Sequence, residues 1–175
     1  MTGGYHSPVM PQRRPAPKPN RPRDQNAPPK PERPRDELGR PLSHDSENRL
    51  HMENFDSLPP KENHRLGIQH FNAQRFFQAH EAWETSWKQL KQTPDADFFK
   101  GLSQLGAGYV HLMRGNQHGA YTLLRRGAGR IERYGADHQG VDVERVAAEA
   151  LALADDVEAA ERAGRPSPSL QPPRI

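Results

Sequence analysis

Apolar residues recur at helical spacing through the middle of the chain and are sparse at its start. From residue 61 onward they fall three and four apart, a period that predicts helices rather than strands. The first helix is expected over about 61–71, with Leu66 and Phe71 apolar and Pro59-Pro60 just ahead, where proline is tolerated. Asn72-Ala73-Gln74 makes the turn. The second helix runs from Arg75 to about Gln92, with Phe76, Phe77, Ala79, Trp83, Trp87 and Leu90 as its apolar positions. Thr93-Pro94-Asp95 ends it, because the residue before a proline is pushed out of the α region.

The third helix, Ala96 to about Arg114, shows two neighbouring stripes. Phe98, Leu102, Leu105, Tyr109 and Leu112 form a core stripe, and beside it run Gly101, Gln104, Gly108 and His111. Each glycine costs a helix about 1 kcal/mol relative to alanine, so the second stripe predicts a close neighbour. That neighbour is expected to be the second helix. Asn116 caps a fourth helix reaching about Tyr134 through Ala120, Leu123, Leu124, Ala128 and Ile131, and Gly135 closes it. Asp142 caps a fifth, whose stripe is Val143, Val146, Ala147, Ala150 and Val157. With no βαβ rhythm and no hairpin signal read, the fold class is all-α, a compact bundle of about five helices.

Composition changes the picture at the ends. Thirteen of the 18 prolines lie in residues 1–60, and only Pro94 lies between residues 61 and 165. Residues 1–60 are therefore expected to be a disordered Pro/Arg-rich tail, 61–162 the helical domain and 163–175 a second disordered tail. Leu50, Met52, Phe55 and Leu58 could dock on the domain as a short arm. Nine Lys/Arg against four Asp/Glu give residues 1–40 a charge of +5, so the net charge of +3 leaves −2 for the rest. Weak nucleic-acid contact through the tail is thus conceivable but not favoured, as no aromatics are interleaved with the basic residues. No apolar run is long enough to span a membrane, and no secretory signal is read at the N-terminus. The expected location is cytoplasmic.

The candidate chemistry sits in Phe76-Phe77-Gln78-Ala79-His80-Glu81-Ala82-Trp83-Glu84-Thr85-Ser86-Trp87. His80, Glu84 and Trp87 share one helical stripe, expected to face inward, with Glu81 and Trp83 pointing elsewhere. The chain has no cysteine, so any metal must be held by His, Asp or Glu. A zincin helix would need histidine where Glu84 stands, and the Glu-x-x-His pairs of di-iron bundles are missing. What remains is a mixed site in which His80, Glu84 and His111 hold zinc, manganese or iron, with Gln104 close by. Glu81 or Glu84 would act as general base in the hydrolysis of an ester or amide in a small-molecule substrate. The competing expectation is a structural buried network of His80, Glu84, Gln104, His111 and the Trp87 indole, in a binding or scaffold module without catalysis. His64, His70, His118 and His138 are expected to face solvent.

Several motifs in order resemble a family. They are Phe71-Asn72, then Phe76-Phe77-x-Ala79-His80-Glu81-x-Trp83-Glu84-x-x-Trp87, then Phe99-x-Gly101-Leu102-x-Gln104-Leu105-x-Ala107-x-Tyr109-x-His111, then Gly115-Asn116-x-x-Gly119-Ala120. Together they are similar to bacterial domain-of-unknown-function family 309, over about residues 64–157 when Gly140-Val141-Asp142-Val143 is included. The resemblance implies an all-helical fold, and members are labelled predicted metal-dependent hydrolases. It carries over His80, Glu81, Glu84, Gln104, His111 and Asn116 as the characteristic polar residues, without assigning their roles.

Overall fold

A computed structural model describes residues 33–175. The expectations for residues 1–32, including phosphate contact by their basic cluster, fall outside that range. The described part contains five helices: α1 Pro60–Asn72, α2 Phe76–Gln89, α3 Ala96–Met113, α4 Gln117–Ile131 and α5 Val143–Arg162. Each packs on its neighbours in sequence, so the short turns make successive helices adjacent in space. The fold is the expected all-α bundle.

The core follows the predicted stripes. Phe98, Leu102, Leu105 and Tyr109 of α3 are fully buried and meet Phe71, Phe76 and Trp83 on one side and Leu124, Ala128 and Ile131 on the other. Val143, Val146, Ala147, Ala150 and Ala154 of α5 complete it. Asn116 and Asp142 cap α4 and α5, their side chains accepting from the backbone N–H of Gly119 and Arg145. A 3-10 turn, Glu132–Tyr134, carries the chain off α4.

One small hairpin departs from expectation. β1 (Asp137–His138) pairs antiparallel with β2 (Val141–Asp142). The turn residues Gln139 and Gly140 both have positive φ, 53° and 78°. This is the conformation a two-residue hairpin needs, and Gln-Gly supplies it less overtly than Asn-Gly does.

Both ends of the described range, 33–175, also lie on the domain. In the arm of residues 33–58, Leu50 and Phe55 are buried, while Met52 is exposed. The guanidinium of Arg114 donates to the Leu38 carbonyl through Nε at 3.1 Å and through Nη2. The Phe77 ring lies between Arg35 and Arg114, at 5.8 and 5.9 Å. Three apolar residues, Leu38, Leu50 and Phe55, anchor a segment whose average composition is that of a tail. At the other end, Asn72 Nδ2 donates to the Ile175 carbonyl and Asn72 Oδ1 accepts from its N–H, at 2.8 and 2.9 Å.

Candidate functional site

The orientation of α2 is set by its largest side chain. Trp83 is fully buried and, with Phe76, Ala79, Ala82 and Ser86, forms the inward face. This reverses the expectation for Trp83. Its indole N–H donates to His64 Nδ1 at 3.1 Å, and His64 Nε2–H donates to the Gln139 carbonyl at 3.0 Å. Gly67 makes the space, since a Cβ there would stand 2.5 Å from Trp83 Nε1. With an indole to bury, the helix turns His80, Glu84 and Trp87 to its flank. The Trp87 ring is half-buried there under the ammonium of Lys100, 4.7 Å from its centre.

His80, Glu81 and Glu84 come together on this flank. Among the described residues their ligand atoms form a group lying within 4.8 Å of one another. The side chains are 25, 34 and 29 % exposed, so the group is open to solvent rather than sealed as a structural network would be. His80 Nδ1 lies 2.9 Å from both the carbonyl and the hydroxyl oxygen of Ser103 on α3. A carbonyl only accepts, so Nδ1 carries a proton, and in the neutral tautomer this contact selects Nε2 is the bare nitrogen. Nε2 is 3.9 Å from Glu81 Oε1, beyond hydrogen-bond length. Glu84 is paired with Lys88 at 3.2 Å. An imidazole whose other nitrogen is fixed by a carbonyl, beside two carboxylates, has the arrangement of a metal-ligating histidine.

The second expected stripe does not reach this group. Gly101 and Gly108 face α4, against Ile131 and Leu124. It is Gly106 that meets α2, where a Cβ would stand 3.1 Å from His80 Cα. Gln104 accepts from Arg130 Nε at 3.0 Å, and Arg130 also pairs with Asp97. His111 Nδ1 accepts from Asn116 Nδ2 at 2.8 Å and lies against Gly119. Burial chiefly, then Arg114 and His80, hold the His111 ring below the ordinary imidazole range. His80, Glu81 and Glu84 thus stand together, with Gln104 and His111 engaged elsewhere.

Two histidines expected in solvent are buried. His64 and His70 are 7 and 4 % exposed, and burial is the first cause lowering the basicity of each. Helical spacing held the signal: His64 shares a stripe with Gly67 and Phe71, and His70 shares one with Asn63 and Gly67. His138 is partly buried against Asp95 at 2.9 Å, and His118 is largely exposed, as expected.

Residues 64–123 match the family described as Domain of unknown function (DUF309). The match spans the His80 group, Gln104, His111 and Asn116, and ends before Gly140–Val143. No curated protein and no solved structure matches the chain.

Proposed function

We propose that the DUF309 domain carried by this chain holds a divalent cation at His80, Glu81 and Glu84 and acts as a metal-dependent hydrolase. The observation that supports the reading most is the fixed His80 ring, with Nδ1 committed to Ser103 and Nε2 left beside two carboxylates. One imidazole and two carboxylates suit zinc, manganese or ferrous iron. Bound there, such an ion supplies Lewis acidity for ester or amide hydrolysis. His80 Nε2 and Glu84 are its holders, with Glu84 released from Lys88. Glu81 is the third holder, or the base that takes a proton from an attacking water. His111 has no part in this set. Among the described residues no helix is long and apolar enough to cross a membrane.

The test is elemental analysis of untagged protein after dialysis against zinc or manganese, paired with His80→Ala. The reading expects a stoichiometric ion in the wild type, and a variant that folds but holds none. If the wild type comes through without metal, or the variant retains it, the group is a solvated polar face and the non-catalytic module is the better account.

A further inference from the structure

We infer that an oxyanion, a phosphate or carboxylate group, binds beside the His80 group on the ammonium groups of Lys100 and Lys91, and that the substrate hydrolysed there is anionic. The anion subsite stands on the lysines themselves, and its meaning for a substrate rests on the metal reading.

Two helices bring the subsite to the His80 group. On α2 Trp87 lies one turn beyond Glu84, and on α3 Lys100 lies one turn before Ser103, the residue that fixes His80. The half-buried Lys100 places its ammonium 4.7 Å from the midpoint of the Trp87 ring. Lys91, in the turn after α2, places a second one 5.7 Å from the same ring. One ammonium over an indole is an ordinary contact, with the alkyl stem covering the ring. Two on one ring repel each other. Among the described residues neither lysine has a carboxylate within ion-pair distance, so no side chain there offsets that repulsion. A bound anion does.

Filling the metal site strengthens the same field. Lys88 lies 3.2 Å from Glu84 and loses that partner when the carboxylate turns to an ion. A divalent cation and two carboxylates sum to zero, which leaves three ammonium groups uncompensated beside a neutral group. Compact, mobile ammonium groups of this kind take oxyanions. The other side of the His80 group repeats the convergence, with Arg35 and Arg114 on the Phe77 ring. Those guanidiniums are already donating to the Gly39 and Leu38 carbonyls of the arm. The lysines are not so engaged, which puts the anion at Trp87.

The test titrates inorganic phosphate and, separately, acetate into the full chain at constant ionic strength, following the indole N–H resonances. The chain has two tryptophans, and the buried Trp83 is the internal control. At least one of the anions should move Trp87 saturably and leave Trp83 in place. Lys100→Gln should weaken that binding about tenfold with the helical circular dichroism unchanged. Lys61→Gln, at an exposed lysine near the start of α1, should leave it unaltered. Metal content is measured on the same preparations, so the two readings fail separately: saturable anion binding by a chain that takes up no metal keeps the subsite and removes the hydrolase. Three results would each overturn the subsite whether or not metal binds: no saturable shift of Trp87 with either anion, undiminished binding by Lys100→Gln, or an equal loss in Lys61→Gln.

Discussion

Gly106 on α3 rests against the backbone of His80 on α2, so closely that a Cβ on the glycine would stand 3.1 Å from both Cα and N of the histidine. This contact lets the His80 ring cross to Ser103, one turn earlier on α3. Gly106→Val forces a branched side chain against the His80 backbone and should cost about 1–3 kcal/mol, the usual range for overpacking. Gly106→Ala should cost less. Urea denaturation measures the loss, and zinc binding should weaken in step with it.

The Trp83–His64–Gln139 chain predicts acid sensitivity. Burial lowers the His64 pKa most, the Gln139 carbonyl opposes it, and nearby His138 lowers it further. Burial likewise lowers His70, with Arg75 adding to that effect and Glu53 opposing it. A base with a lowered native pKa binds its proton more readily in the unfolded chain, so stability rises with pH across the window between the two values. The contribution is complete above the ordinary histidine range near pH 6.5 and is lost as pH falls below it. Stability measured from pH 7.5 to 5 should decline on the acid side. In His64→Phe that decline should be shallower, although the variant starts from a lower plateau because it orphans the Trp83 N–H.

Gly67 should tolerate no side chain. The atoms a Cβ would strike belong to the fully buried Trp83 indole, which has no empty space to move into. Gly67→Ala should destabilise by about 1–3 kcal/mol despite alanine's better helix propensity. Chemical denaturation with Trp83 fluorescence reads both the loss and the displaced indole.

Much of this was legible in the chain because period and volume point the same way. The stripe from Phe98 to Tyr109 is buried as its spacing requires, and Asn116 and Asp142 cap where their chemistry favours it. The rotation of α2 was not legible. Its sequence offers an inward stripe through Trp83 and another through His80 and Trp87, and the choice depends on Gly67 in α1, whose effect is felt only once the helices pack. The glycines of α3 posed the same problem: Gly101 and Gly108 predicted a close neighbour, expected to be α2, but the fold sends them to α4 and brings Gly106, outside that stripe, against α2. The arm was legible in part: Leu50 and Phe55 are buried as a docking arm requires, Met52 is exposed, and Leu38, whose carbonyl Arg114 holds, gave no signal in a stretch dominated by proline and charge.

Separation of His111 from the His80 group gives a discriminating set of variants. His111→Ala, Asn116→Ala and Gln104→Ala should leave zinc content unchanged, because these side chains bond to one another or to Arg130. Asn116→Ala should still cost about 1 kcal/mol of stability through the lost helix cap. Elemental analysis and denaturation of the same preparations check both statements.

The most direct measurement is the long-range ¹H–¹⁵N correlation spectrum of the histidine side chains during a zinc titration. The account predicts that His80 begins with its proton on Nδ1 and a bare Nε2, and that Nε2 shifts most on zinc addition, saturating at stoichiometric metal while His64, buried behind Trp83, stays unchanged. A His80 ring protonated on Nε2 from the outset, or unmoved by zinc, would contradict it.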